Sequence, residues 1–311
     1  MAARGMKRHA DPVDGLLLLN KPSGMSSNRA LQAVRRLINA RKAGHTGSLD
    51  PAATGMLPLC FGEATKVCGY LLDADKTYRV TAKLGVATDT GDADGEQISS
   101  AEVPPLEADA WNDILQTFCG ESTQIPPMYS ALKQDGKRLY ELARKGETVE
   151  REPRPIRIYD IEMLEFAGTR LVFRVSCSKG TYIRVLVEDI ARQAGTVAHT
   201  ARLHRESVGD FDGANMLDMS AVEALAEQGL EPLRSRLLPA DVALTRLPEV
   251  SVSDEDAARF CGGQVVRALN EGPQGLARVY AAESRFLGVG ELADDGQVAP
   301  RRVFLTQEQA P

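Results

Sequence analysis

The sequence contains no apolar run near the roughly 18 residues that a membrane-crossing helix needs. Its N-terminus, Met1 to Asp14, carries basic residues with no apolar segment behind them, and reads as a mobile arm rather than an export signal. A chain with neither feature is expected in the reducing cytoplasm. Cysteine is sparse and odd in number: Cys60, Cys68, Cys119, Cys177 and Cys261, with no Cys-x-x-Cys spacing. Histidine is scarcer still, limited to His9, His45, His199 and His204. That stock suits neither a disulfide framework nor a structural zinc site, and the cysteines read as small buried hydrophobes. Also missing are a Gly-x-x-x-x-Gly-Lys-[Ser/Thr] loop, a Gly-x-Gly-x-x-Gly turn after a strand, a His-Glu-x-x-His helix and a Gly-x-Ser-x-Gly elbow. Those absences remove the tools of NTP hydrolysis, dinucleotide redox chemistry, zinc hydrolysis and serine hydrolysis. What remains is chemistry around a carboxylate, with no cofactor and no metal, or binding without chemistry.

What is present is a globular composition, 311 residues of which 43% are apolar and 26% charged, long enough for one large domain and a small one. The net charge of −6 argues against a protein that coats nucleic acid indiscriminately, but the charges are segregated. Residues 1–60 hold nine Lys and Arg against Asp11, Asp14 and Asp50, whereas residues 86–125 hold nine Asp and Glu and no Lys or Arg. Such a distribution permits a basic face for RNA and an acidic face turned away. Solvated surface of both signs gives the same pattern.

Along the chain, Gly15–Asn20 reads as a buried strand, followed by a helix capped at Ser26 or Ser27 with Leu31, Val34 and Ile38 on one face. Ala64–Leu72 reads as a second helix. Tyr78–Val86 alternates as a strand, with Tyr78, Val80, Ala82 and Leu84 on one side. A helix over Ala108–Phe118, a strand over Leu171–Cys177 and a helix from Thr181 to Ala194 follow. Pro239 and Pro248 bracket a linker. Beyond it, a short helix, Asp254–Cys261, sits among short strands, a small β-rich module.

The densest group of chemistry-bearing residues is Gly44-His45-Thr46-Gly47-Ser48-Leu49-Asp50-Pro51, continuing to Thr54-Gly55. Two glycines let a backbone approach a ligand closely; taken alone, the loop reads more simply as an Asp-capped turn before Pro51. It does not stand alone. Asn20-Lys21-Pro22-Ser23-Gly24, Lys76-Thr77-Tyr78-Arg79, Thr88-Asp89-Thr90 with Asp92, Pro126-Pro127-Met128-Tyr129-Ser130-Ala131-Leu132-Lys133 and Gly180-Thr181-Tyr182-Ile183-Arg184 accompany it. In these stretches, and in their order, the chain resembles the TruB family of tRNA pseudouridine synthases from Gly15 onward. Ser48 stands where that family usually has Thr, and Leu203-His204-Arg205-Glu206-Ser207 is less basic than its pattern.

The resemblance implies an α+β pseudouridine synthase fold, a mixed and largely antiparallel sheet flanked by helices, with a small β-barrel PUA-like domain. It divides the chain into an arm (1–14), a catalytic domain (15–246) and an RNA-binding tail (247–311). The basic stretch 125–157, with Lys133, Lys137, Arg138, Arg144, Lys145, Arg151, Arg154 and Arg157, resembles the RNA-gripping insertion of the stand-alone bacterial enzymes. It implies Asp50 as nucleophile, Arg184 as the partner that keeps it ionised and Tyr182 beside the sugar. Tyr78 falls on the tyrosine that stacks on the target base, and His45 on the histidine that fills the gap left by the extruded nucleotide. Leu203 falls on a leucine with a backbone contact to uracil, and Lys21 and Pro22 on the buttress of the site wall. The implied partner is the T-arm stem-loop of tRNA, its uridine 55 being isomerised by a monomer without cofactor, guide RNA or membrane. A non-catalytic RNA-binding or tRNA-folding module, and a synthase acting on ribosomal RNA, are the alternatives.

Overall fold

The computed structural model describes residues 10–130, 132–134, 136–281 and 284–305. Most of the expected N-terminal arm, Ala131 and the last six residues lie outside the described residues. β1 (Gly15–Lys21) is buried along almost its whole length, as a leucine run between two other strands should be. Ser26 caps α1 (Ser27–Leu37) by accepting from the Arg29 N–H at 3.2 Å, and Ala30, Leu31 and Val34 form its buried stripe. β2 (Ala43–His45) and β3 (Thr54–Phe61) follow, with the glycine-rich loop between them. The stretch read as one helix from Ala64 is a 3₁₀ turn, Gly62–Val67, running into the short α2 (Cys68–Asp73). β4 (Lys76–Leu84) alternates as read, burying Tyr78, Val80, Ala82 and Leu84.

The acidic stretch forms the hairpin of β5 (Val86–Thr88) and β6 (Gln97–Ser100), then α3 (Ala108–Gln116), anchored by buried Trp111 and Leu115. From β7 (Gly120–Gln124) the chain makes an excursion through β8 (Lys133–Gln134), β9 (Lys137–Arg138) and α4 (Leu139–Ala143). It returns as β10 (Arg154–Ala167), whose first residue pairs with Gln124. The excursion is therefore residues 125–153, and 154–157 belong to the sheet rather than to the insertion expected over 125–157. β11 (Arg170–Cys177), α5 (Ile183–Gln193), β12 (Ala198–Val208), β13 (Leu217–Asp218), α6 (Met219–Glu227) and α7 (Leu230–Arg234) complete this part.

Among the described residues, nine strands make one mixed sheet in the order β13-β1-β3-β12-β4-β11-β10-β7, with β2 beside β3. β12 is its seam: it runs parallel to β3 and antiparallel to β4. One apolar cluster packs α3 and α5 on β4, β10 and β11, and a second packs α1 and α6 on β1 and β3.

The tail is a PUA-like unit: β14 (Glu249–Ser251), α8 (Asp254–Cys261), β15 (Val266–Arg267), β16 (Gly275–Tyr280), β17 (Phe286–Leu292) and β18 (Gln297–Val303). Its five strands form a separate sheet. The segment read as a linker between Pro239 and Pro248 is not free: it forms a 3₁₀ turn, Ala240–Leu244, whose Leu244 is buried with Leu16, Cys60, Leu71, Val289 and Phe304. Lys66 Nζ donates to the Val303 carbonyl at 2.7 Å, and the Leu305 N–H donates to Glu63 at 2.9 Å. Tail and main sheet thus share a core. No described helix is long and apolar enough to cross a membrane.

At the seam, Gly55 has φ +102°, and a Cβ there would lie 2.2 Å from the Arg205 carbonyl oxygen. That is backbone against backbone, with no side chain able to move aside. Gly55→Ala is expected to cost about 2–4 kcal/mol in urea unfolding; a loss below about 0.5 kcal/mol would show that β3 and β12 separate freely.

Candidate active site

Asp50 sits in the loop between β2 and β3, and the loop is fixed from below. Ser27, the first residue of α1, is buried; its Oγ accepts from the Leu49 N–H at 2.8 Å and donates to the Leu49 carbonyl at 3.1 Å. Lys21, at the end of β1, is wholly buried, and its Nζ donates to the carbonyls of Pro22 (2.8 Å), Met25 (2.7 Å) and Pro51 (3.2 Å). Burial lowers its pKa to about 8, against the opposing pull of Asp50, so it remains mostly protonated at neutral pH. Pro22 lies half-buried beside this knot. Both sides of Asp50 are therefore held by main-chain contacts, and its carboxylate is left to face outward.

Arg184, the second residue of α5, meets it. Its Nε is 3.0 Å from Asp50 Oδ2 and its Nη1 is 3.6 Å from Asp92 Oδ2. Nη1 also donates to the Thr90 carbonyl at 2.7 Å and Nη2 to the Tyr129 carbonyl at 2.6 Å. The side chain is 7% exposed, that of Asp50 41%. The expected pairing is present, but the resulting pKa direction is not the expected one. Burial pushes the Asp50 carboxyl above its usual 3.8, Arg184 pulls it down, and Asp92 pushes it up again. The upward terms win because water removed from the carboxylate is not fully replaced by one shared guanidinium. Asp92 also corrects the expected charge layout: part of the acidic stretch is turned toward the site, not away from it.

Tyr182 is the N-cap residue of α5. Its N–H donates to Gln124 Oε1 at 2.9 Å, and the buried Gln124 amide donates back to its carbonyl at 3.4 Å. Burial raises its phenol, which therefore stays protonated at neutral pH. Tyr78 is 9% exposed on β4, its phenol also raised by burial, with Asp50 close enough to add to the shift. His45 ends β2; its Nδ1 is buried without a hydrogen-bond partner, and burial followed by the Arg205 charge lowers its pKa, so the ring is neutral. Leu203 pairs with Val80 on β4, and its carbonyl accepts from Thr54 Oγ1 at 3.5 Å. The fold thus joins Asp50, Arg184, Lys21 and Pro22 directly and sets Tyr78, Tyr182, His45 and Leu203 on the surrounding strands and cap.

Several residues escaped the sequence reading. Ser27 and Gln124 give no sequence signal, because their partners are backbone atoms brought near by folding. Arg205 lies on β12, 1% exposed. Two register shifts on that strand, near Arg202 and near Ser207, break the period-two pattern that would have marked it as inward-facing. Arg35, one of the basic residues assigned to an RNA face, instead donates to the carbonyls of Ala40 (3.0 Å) and Arg41 (2.6 Å).

Comparison with solved structures defines the class. A Cbf5–Nop10–Gar1 complex contains a chain that matches 99% of this one and 89% of its own length, with TM-score 0.73 and 25% identity. An archaeal Nop10–Cbf5 complex gives the same TM-score at 24% identity, with 99% and 91% covered. This is a pseudouridine synthase fold with a PUA-like tail. Sequence narrows it. Residues 35–183 match the TruB family pseudouridylate synthase N-terminal domain, 184–245 the tRNA pseudouridylate synthase B C-terminal domain, and 248–304 the pseudouridine synthase II TruB C-terminal region. The tRNA pseudouridine synthase B of Ectopseudomonas mendocina (strain ymp) is 51% identical over 306 residues, covering 97% of this chain and 98% of that protein. The protein of the same name from Dechloromonas aromatica (strain RCB) is 52% identical over 297 residues, covering 96% and 97%. The chain belongs to the TruB family of pseudouridine synthases.

Ser27 gives a test of the loop's anchoring. Ser27→Ala leaves the buried Leu49 N–H unanswered and is expected to lower stability by about 1–3 kcal/mol and to slow turnover more than it weakens RNA binding. Unchanged stability and rate would mean that Lys21 alone holds Asp50.

Proposed function

We propose that this protein isomerises uridine 55, in the T loop of tRNA, to pseudouridine, with Asp50 as nucleophile. The observation that carries the reading is the contact of Asp50 with Arg184, a nearly buried guanidinium 3.0 Å away, in a chain about half identical to proteins named tRNA pseudouridine synthase B. The reaction breaks N1–C1′, turns the uracil and joins C5 to C1′. Every atom is conserved and no electrons are lost, so the chemistry needs a nucleophile to hold the ribosyl half, a pocket for the ring and a proton carrier.

Asp50 suits the first task. Its two-fifths-exposed carboxylate faces the substrate side, and Arg184 aims it. Tyr182 suits the third: entering protonated, it can give its proton to the departing ring nitrogen and take one from C5 once the ring has turned. Extruding the target base costs a few kcal/mol. Stacking on Tyr78 returns about 1–3 kcal/mol, and His45, a neutral ring with an unanswered Nδ1, fills the vacancy. The Leu203 carbonyl, which accepts from Thr54 Oγ1 at 3.5 Å, is assigned to the uracil edge. Lys21 and Pro22 act indirectly, through the loop they hold. The exposed arginines of the 125–153 excursion and the tail supply contacts to phosphate and RNA shape, which position without reading bases. No guide RNA is required in this reading, because the excursion and tail present the loop themselves, and a monomer suffices.

Asp50→Asn is expected to lower kcat by about 10,000-fold or more while leaving tRNA affinity within about threefold. Tritium release from C5-labelled uridine in T-arm RNA measures the first and filter binding the second. A folded Asp50→Asn protein that still makes pseudouridine would remove Asp50 from its role. Because Asp50 must be ionised to attack and its pKa is raised above 3.8, activity is expected to fall as the pH drops through a value above that. Arg184 opposes the rise, so the acid limb of Arg184→Gln should lie at higher pH than that of the parent; a limb displaced downward would contradict the pairing.

Substrate recognition is tested with a T-stem-loop hairpin beside an unstructured RNA of the same composition. The hairpin is expected to retain most of the kcat/KM of whole tRNA and the linear RNA almost none. Equal rates on both would show that loop shape is not what is recognised.

A further inference from the structure

Gln124 ends β7 and is 5% exposed. Its side chain makes a two-point contact with the backbone of a residue far along the chain. Oε1 accepts from the Tyr182 N–H at 2.9 Å, and Nε2 donates to the Tyr182 carbonyl at 3.4 Å. A primary amide presents one acceptor and one donor side by side, the same pair that a neighbouring strand presents in a ladder. Tyr182 has extended backbone, with φ −94° and ψ 107°, yet it lies in no strand. Gln124 supplies the pairing that a strand would otherwise give. Tyr182 caps α5 without a side-chain hydrogen bond of its own, and its carbonyl also accepts the first bond of that helix, from the Leu186 N–H at 3.1 Å. Holding both the N–H and the carbonyl of one residue fixes its two soft torsions, and with them the direction of its Cα–Cβ bond.

Gln124 acts from a firm base. Its backbone pairs with Arg154, the first residue of β10, so it closes the foot of the 125–153 excursion. A few residues into that excursion, the Tyr129 carbonyl accepts from Arg184 Nη2 at 2.6 Å. The start of α5 is tied at two points to the place where the excursion leaves the sheet. We propose that Gln124 is a positioning residue for isomerisation, which sets the direction of the Tyr182 side chain by pairing with both polar groups of its backbone. The proposal rests on the reading of Tyr182 given above, and deepens it by naming what aims that side chain. The chemical requirement is narrow. Leucine fills similar space and offers neither polar group. Glutamate has the shape of glutamine, but when ionised it only accepts. One oxygen can then take the Tyr182 N–H, while the other faces the Tyr182 carbonyl with no proton between them. Protonated, the carboxyl regains a donor and the two-point contact.

The test uses the full chain and a T-arm hairpin, with single-turnover tritium release for the rate and filter binding for affinity. At about pH 8, Gln124→Leu and Gln124→Glu are each expected to slow the single-turnover step on the order of 100-fold, with affinity changed by no more than about threefold. As the pH falls to about 5, the rate of Gln124→Glu divided by that of the parent should climb, because protonation restores the donor. The same ratio for Gln124→Leu should stay level. Arg154 across the ladder and Arg184 on α5 keep their charge over this range. Titration of Asp50 and Asp92 is common to parent and variants, so it divides out of the ratio. A level ratio for Gln124→Glu would overturn the proposal, as would a loss of affinity matching the loss of rate. Should Gln124→Leu fail to fold, the isosteric Gln124→Glu carries the test alone. Tyr182→Ala checks the underlying reading separately. A Tyr182→Ala protein that works at the parent's rate removes that reading, whereas a slow one beside a level Gln124→Glu ratio removes only the role of Gln124.

Discussion

Arg184 is a cation almost wholly withdrawn from water, and the shape of the site depends on that withdrawal being tolerated. An unanswered buried guanidinium costs several kcal/mol. Here Asp50, Asp92 and the carbonyls of Thr90 and Tyr129 together answer its donors. These partners come from three separate stretches: the glycine-rich loop, the acidic turn after β5 and the start of the 125–153 excursion. Each must arrive for the charge to be buried, so the first turn of α5 gathers the site around itself. Tyr182, two residues earlier, is placed by the same turn, with Gln124 of β7 clamping its backbone. Asp50, Arg184 and Tyr182 are thereby referred to one rigid frame.

The balance of charge at Asp50 follows from sharing. Burial does most to lift the carboxyl, Arg184 pulls it down, and Asp92, which shares that guanidinium, lifts it again, so it lies above its usual range. A carboxylate held far down is well aimed but a poor nucleophile, since affinity for a proton and for carbon tend to rise together. One whose affinity for a proton is raised bonds to carbon more readily. Asp92, which looks superfluous beside Asp50, thus belongs to the electrostatics of the pair.

Much of this architecture is legible in the sequence, where period and capping speak locally. β1, β4, β11 and α1 follow from a leucine run, alternation or a serine cap followed by an apolar stripe, and the motifs singled out Asp50 and Arg184, which the fold brings 3.0 Å apart. The failures have physical causes. β10 is the longest strand, 14 residues, but its burial is irregular, with register shifts near Tyr159 and Leu164, so no alternation announced it. β12 is interrupted in the same way. The proline-bracketed segment before the tail resembled a linker in composition, yet Leu244 docks in a core assembled from residues as distant as Leu16 and Phe304. Contacts of that separation leave no mark on a local window.

Four buried cations, Lys21, Lys76, Arg184 and Arg205, share a way of being held: most of their hydrogen bonds go to main-chain carbonyls rather than to carboxylates. A carbonyl can satisfy a donor without cancelling its charge. The interior beneath the site therefore keeps a positive field, answered only in part by Asp50 and Asp92, inside a chain whose net charge is −6. This resolves the tension between an acidic protein and a polyanionic substrate. Exposed charges such as Lys137, Arg144 and Lys145 are readily screened by salt; charges fixed below the surface are screened far less. The first set acts at long range, and the second acts on whatever lies against the Asp50 loop.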